Sequence, residues 1–353
     1  MDRRYFLAFG IGAASLALGI LAVRLLGLGA GIPVPIRQGD DEPTTRTHDL
    51  SGPYTHNNLT IYLVHGRDAI IGKTPLTLEE AMDRKLVKVH ETSDVNELEI
   101  ENISATDEVF VQAGDIVKGG KQDRVLTVDL IVPVRSGRMP ISSFCVEHGR
   151  WQPRASESPE AFSVSSEIVP SKGLKLAAKH TGSQAQVWAG VAKSQEKLSA
   201  ASNANVASNV SRSSMQLSLE HNAVRTGAGD YVEALRTIVR GKSDVIGFVF
   251  AINGEINSSD TYGSHDLFIK LWPRLLKAAA IEAVSESYGS EGSADAVDSI
   301  DDFLTDAEAA DVESERTITD RIRIRIRESK RSILIESRDT NQSGWLHRNY
   351  LIK

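Results

Sequence analysis

Between Leu86 and Trp151 the chain reads as strand after strand, and no other stretch limits its fold as much. The segments LVKVHE, ELEIENI, EVFVQAGDIV, RVLTVDLIVPV and PISSFCVEHGRW are rich in β-branched residues with period-two patterning. Turn residues separate them at Asp94, Thr106–Asp107, Gly119–Gly120 and Ser136–Gly137. Consecutive strands joined by short turns predict a largely antiparallel sheet or sandwich.

The flanking segments predict a mixed fold around that sheet. Leu59–Val64 alternates as a strand, and Thr77 with Glu80 makes a capping box for a short helix, with Leu76 stapled onto Ala81. Further on, Val187, Val191, Ser194 and Leu198 recur near helical spacing beside Trp188, and a polar loop, SNANVASNVSRSS, follows. A helix over DYVEALRTIVRG is expected to start at Asp230 as N-cap and stop at Gly241. Asn253-Gly254 marks a β-hairpin, and Ser264 caps a helix that Pro273 is expected to kink or restart. The acidic stretch SADAVDSIDDFLTDAEAAD reads as a helix or a solvated loop. The end returns to β in DRIRIRIRE, SILIES and WLHRNYLI, whose strands are expected to rejoin a sheet. The class is α+β.

Composition narrows the function. The 353 residues are 41% hydrophobic and 25% charged, enough for one large domain or two small ones. A net charge of -7 gives no support for nucleic-acid binding. The single cysteine, Cys145, excludes an intramolecular disulfide and a thiolate metal site. The nine histidines form no H-x-H, H-E-x-x-H or Cys/His cluster, so no metal or other cofactor is expected.

The N-terminus points to export. Arg3 and Arg4 precede an uncharged run from Tyr5 to Val23, a charged n-region before an apolar h-region. The pair resembles a twin-arginine export signal, although Asp2 and Ala8 depart from that pattern; an uncleaved signal anchor is the other reading. The expected organisation is a signal peptide or membrane anchor over 1–31, a flexible linker over 32–57 and one folded domain over 58–353. The bulk would be periplasmic or held at the membrane by the N-terminal segment.

Three motifs could carry chemistry. In GDIVKGGKQDR, Gly114 to Arg124, paired glycines let a backbone approach a ligand while Lys121 and Arg124 supply cations, which suits a phosphate. It is not a P-loop, because Asp115 and Gln122 stand where Gly and Ser or Thr would; a tight hairpin turn is the plainer reading. In FCVEHGRW, a continuous strand would put Cys145 and Glu147 on one face and His148 on the other, so Cys145 reads as a packed structural thiol. In RIRIRIR, four arginines from Arg321 to Arg327 share one face, either as an anion-binding ladder or as a solvated face paired to upstream carboxylates.

The blocks NNLTIYLV, LTLEEAM, LEIENIS, VQAGDIVKGGKQDRVLTVDLIVP and FCVEHGRW, then SQAQVWAGV and NGEINSSDTYGSHDLFIKLWPRLLKAAAIEA, resemble the ARPP-1 family in order. The resemblance implies association with ADP-ribosylglycohydrolase and phosphatase genes, and no established catalytic residue. The expected function is an exported binding or accessory module for a small anionic ligand, phosphate or nucleotide-like, or for an envelope partner. Its candidate ligand residues are Asp115, Lys121, Gln122, Asp123, Arg124, Glu147 and Arg150. One alternative is a hydrolase of nucleotide or ADP-ribose-like phosphoesters, with Glu147 as general acid or base. The other is a purely structural interaction protein.

Overall fold

The computed structural model describes residues 47–150, 152–154, 157–286 and 297–353. The signal-like segment, most of the expected linker and Trp151 lie outside these residues. All described residues fall within one unit, 45–353. The fold reaches further towards the N-terminus than the expected boundary at residue 58. The first strand, β1, spans Asp49–His56 and pairs with β2, Leu59–His65, so this polar segment is held by backbone ladder bonds rather than left as a tether.

In chain order the next elements are β3 (Leu76–Thr77), α1 (Leu78–Asp83), β4 (Val87–Glu91), β5 (Glu97–Asn102) and β6 (Val109–Val111). Then come β7 (Asp115–Gly119), β8 (Arg124–Leu126), β9 (Leu130–Val132), β10 (Gly137–Cys145) and β11 (Phe162–Ile168). Helix α2 (Lys172–Leu176) runs into a π-helical turn, Ala177–Thr181, followed by α3 (Gln184–Ser202), α4 (Met215–Leu219) and α5 (Asn222–Leu235). The hairpin β12 (Val245–Ile252) and β13 (Glu255–Tyr262) leads to α6 (His265–Ser285) and α7 (Val297–Ala309). The last strands are β14 (Val312–Thr317), β15 (Ile322–Glu328), β16 (Ser332–Asp339) and β17 (Trp345–Ile352).

Among the described residues these strands build three sheets. An eight-stranded sheet has the order β1-β2-β12-β13-β17-β16-β15-β14, so the C-terminal strands do rejoin the sheet begun by β1. A six-stranded sheet, β11-β7-β8-β10-β5-β4, comes from the strand-rich first half. Its edge strands meet at one bridge, between His90 and Ala161. A small sheet, β3-β6-β9, holds a parallel pair, β3 with β6, in an otherwise antiparallel α+β fold.

Burial explains the two patterns of strand. Every residue of β12 is buried because the sheet is covered on both faces. On one face Phe248 and Phe250 pack with Phe268 and Trp272 of α6 in the main core. On the other, Tyr62, Val249 and Tyr350 meet Ile300, Phe303, Leu304 and Ala307 of α7. That stripe at helical spacing makes Val297–Ala309 of the acidic stretch a helix instead of a loop. No helix among the described residues is long and apolar enough to cross a membrane.

Two helices differ from expectation. Asp230 lies inside α5, which starts at Asn222 with His221 accepting from the Ala223 N–H. The buried stripe Val224, Ala228, Tyr231 and Leu235 carries the helix past two glycines; at Gly227 an added Cβ would already touch Val284 of α6. Pro273 neither breaks nor restarts α6, which is continuous. Leu267, Phe268, Leu271 and Trp272 before it, and Leu275 and Leu276 after it, are all buried; this packing outweighs the backbone bond that proline cannot donate. The EVFVQAGDIV and RVLTVDLIVPV segments each divide into two short strands that serve different sheets.

Candidate functional site

The Gly-Gly turn is a hairpin between β7 and β8. Gly119 and Gly120 both have positive φ, and a Cβ on Gly120 would lie 2.4 Å from the Phe162 ring and 2.9 Å from Glu91. The turn therefore needs glycine for its own packing. Lys121 is drawn back onto the protein: its N–H donates to Glu91 at 3.2 Å and its ammonium to Ser93 at 2.8 Å.

The residues after Lys121 point inward. Arg124 is 0% exposed and donates to the Val95 carbonyl at 3.0 Å, to the Cys145 sulfur and to Glu91 at 3.3 Å. Its charge is spent inside the fold, so it cannot serve as the free cation the motif suggested. Asp123 accepts two bonds from Arg154, one from Ser214 at 2.9 Å and one from the Gly119 N–H at 3.1 Å. Glu147 accepts from the Asp123 N–H at 3.2 Å and pairs with Arg150 at 2.8 Å, and Gln122 donates to the Glu147 carbonyl at 3.1 Å.

Gln122, Asp123, Glu147 and Arg150 thus come together, with Arg154 and Ser214 added. Strand β10 stops at Cys145 instead of running to Trp151: the Val146 N–H still reaches the Asp123 carbonyl, and the chain bends there. This break, not a shared strand face, brings Glu147 to Asp123. Burial and the Glu147 charge raise the Asp123 pKa above the usual carboxylate range. Burial acts the same way on Glu147, but hydrogen bonds from Arg150 and Ser211 outweigh it and lower its pKa. Asp115 stands apart, at the other end of β7, where it pairs with Arg274 of α6 at 2.8 Å.

Between the two large sheets lies a buried polar cluster. His347 sits between Asp129 at 2.8 Å and Asp260 at 3.0 Å, with its ring stacked on Tyr262 at 4.6 Å. Asn349 bonds Asp260 at 2.9 Å and accepts from Lys179 of the π-helical turn at 3.2 Å. Burial opposes a charge on His347, yet the two carboxylates raise its pKa. Burial also opposes ionisation of Asp260, but His347, Lys175 and Lys179 hold it well below the usual range. The cluster is a histidine clamped by two carboxylates that joins β17, β13 and the loop before β9.

Another recess lies among α2, α3, α6 and the β12–β13 hairpin. It encloses ≈ 540 Å³ and is lined in part by Lys172, Lys193, Asn253, Asn257 and Glu282. The Lys172 and Lys193 ammonium groups have no ion-pair partner among the described residues, whereas Lys197 on the same wall is tied to Glu286. Glu282 is 4% exposed; one oxygen accepts from the Lys172 N–H at 2.7 Å, and the Asn257 side chain also hydrogen-bonds the carboxylate. Burial raises its pKa against the pull of Lys175 and the Lys172 N–H.

The model of the ARG and Rhodanese-Phosphatase-superfamily-associated Protein domain matches residues 47–351. The chain belongs to the ARPP-1 family. No curated protein and no solved structure matches it. The matched span covers nearly all the described residues, so both charged clusters and the cleft are parts of the ARPP-1 domain itself.

Two other groups of charges in the ARPP-1 domain have internal partners. The arginine ladder is paired: Arg321 with Glu108 and Asp339, Arg325 with Glu315 at 2.9 Å, while Arg327 donates to the Ala310 carbonyl. His180, Glu313 and Glu328 offer ligand atoms within 4.8 Å of one another and could hold a divalent cation, but the Lys353 ammonium already sits on Glu328. Sequence reasoning passed over Lys172, Lys193, Asn257 and Glu282. The available signal was NSSDTY, a polar run of buried strand whose polar side chains need partners from elsewhere in the fold.

Proposed function

We propose that this ARPP-1 domain is an accessory module that binds a small anionic ligand in the cleft among α2, α3, α6 and the β12–β13 hairpin. The observation that carries the reading is a pair of ammonium groups, Lys172 and Lys193, with no ion-pair partner among the described residues, on a recess of ≈ 540 Å³. A volume of that order suits a small molecule, and cations without internal partners keep their charge available to one. The turn residues lend less support, since Arg124, Asp123 and Glu147 are each 0% exposed and engaged inside the fold, Arg124 by Glu91 and Val95, Asp123 by Arg154 and Ser214, and Glu147 by Arg150.

One observation favours the hydrolase reading. Asp123 and Glu147 are adjacent carboxylates with pKa values pushed in opposite directions, as in acid–base pairs. They lie beneath Arg150 and Arg154, however, and the cleft is open. Mass spectrometry of molecules that copurify with the protein, repeated on a Lys172→Ala/Lys193→Ala variant, separates the readings. The expected result is a copurifying anion lost from the folded double variant. Retention of the anion there, with loss on Glu147→Gln, would favour the buried pair.

A further inference from the structure

The outer face of the C-terminal strands carries its side chains in rows, because directly opposed residues of antiparallel strands share a face. One row holds Leu334 and Tyr350 and is covered by α7. The next runs Glu315, Arg325, Glu336 and Arg348 across β14, β15, β16 and β17, so its charges alternate. It neutralises itself: Arg325 meets Glu315 at 2.9 Å and Arg348 meets Glu336 at 2.7 Å. The row beyond it runs Thr317, Arg323, Arg338 and Trp345. Here two arginines stand directly opposite one another, a placement in which like charges repel.

Both arginines are open to solvent. The Arg323 side chain is 57% exposed, and its one ion pair among the described residues is with Glu315 at 3.8 Å. Arg338 is 41% exposed and spends its Nε on Glu336 at 2.6 Å. With Arg325 and the turn residues Thr340, Gln342 and Ser343 they line a recess of ≈ 270 Å³. Two carboxylates share that wall. Glu315 is engaged by Arg325, and Asp339 by Arg321. Positive charge is therefore in excess at this end of the face.

We infer that Arg323 and Arg338 form a binding site for a phosphate monoester, separate from the cleft among α2, α3 and α6. A guanidinium presents paired N–H donors that match two oxygens of one phosphate, so an opposed pair can hold one tetrahedral group from two sides. A monoester carries close to two negative charges at neutral pH, which offsets the repulsion between the two arginines. The recess lies below the size of pockets for drug-sized molecules and suits a phosphate on a short carrier.

Calorimetric titration of the full chain with glycerol 3-phosphate and with dimethyl phosphate, at about pH 8 where a monoester is dianionic, tests this. The titrations are made in the Lys172→Ala/Lys193→Ala background, so that the cleft lysines contribute nothing. Glycerol 3-phosphate should bind, and adding Arg323→Ala with Arg338→Ala should weaken it about tenfold or more, as loss of a charge-assisted pair would. Arg323→Lys with Arg338→Lys keeps the charge without the fork and should recover little of that loss. Thermal melting of each variant reports whether the fold is intact. No binding of glycerol 3-phosphate, or equal affinity in a folded alanine variant, overturns the site. Full affinity in the lysine variant also overturns it, since charge without the fork would then suffice. Dimethyl phosphate binding as tightly as the monoester overturns the ligand class. None of these outcomes bears on the cleft.

Discussion

Cys145 closes the inner end of β10 with its sulfur against the Arg124 guanidinium and 3.9 Å from the Val95 carbonyl. Burial raises the thiol pKa and Arg124 only partly restores it. A thiol held protonated and enclosed is a poor nucleophile. It should react with a thiol reagent only when the protein unfolds, and Cys145→Ala should cost about 1 kcal/mol in denaturant titrations. Rapid labelling of the native protein would contradict this. Glu91 is the more sensitive partner. Glu91→Ala leaves the Arg124 charge buried without its carboxylate and should cost about 3 kcal/mol, the scale for breaking a buried pair. His347 makes a pH-dependent contribution. Its folded pKa is raised, so its stabilisation is fully present below about pH 6.5 and fades as pH rises through the folded value. Stability measured from pH 6 to 9 should fall with a slope that His347→Gln reduces; an unchanged slope would show that the imidazolium is not the group responsible.

At the scale of elements, local chemistry sets boundaries and packing sets continuity. Thr77 accepts from the Glu80 N–H at 3.1 Å, and the Glu80 side chain accepts from the Thr77 N–H at 2.9 Å. This reciprocal cap starts α1 where β3 ends, and Thr77→Ala should cost about 1 kcal/mol by chemical denaturation. No loss in the variant would mean that tertiary packing alone holds the helix start. The Asn253-Gly254 hairpin forms for a similar local reason, both residues having positive φ. The arginine strand alternates as read, with Ile322, Ile324 and Ile326 buried, and Glu315 across the ladder supplies a carboxylate from upstream. Helices α5 and α6 follow the other rule. Their limits depend on apolar stripes that override a glycine pair and a proline.

For the whole molecule, the charged clusters act as fasteners between layers. Arg274 with Asp115 joins α6 to β7, and His347 with Asp129 joins the eight-stranded sheet to the loop before β9. His48 does the same for α7, pairing with Asp301 at 2.7 Å and Glu308 at 3.3 Å just before β1. Export is a proposal that rests on Arg3 and Arg4 before the apolar run. Arg3→Lys with Arg4→Lys should stop export through the twin-arginine route, read by fractionating cells. Arrival in the envelope at the normal rate would point to an ordinary signal anchor.

The α+β class, the antiparallel first half, the capped helix, the hairpin and the family were legible in the sequence. Caps, turns and alternation depend on neighbours a few residues apart, and the family blocks are themselves sequence. The state of the charged side chains was not legible. Arg124 and Lys172 are both basic in the sequence, yet one lies buried against Glu91 and Val95 while the other lines an open cleft. Asp129 and His347 are 218 residues apart and meet only when two sheets pack. A motif records which groups are near one another along the chain; burial and pairing depend on what folds over them, and that was decided by the tertiary structure alone.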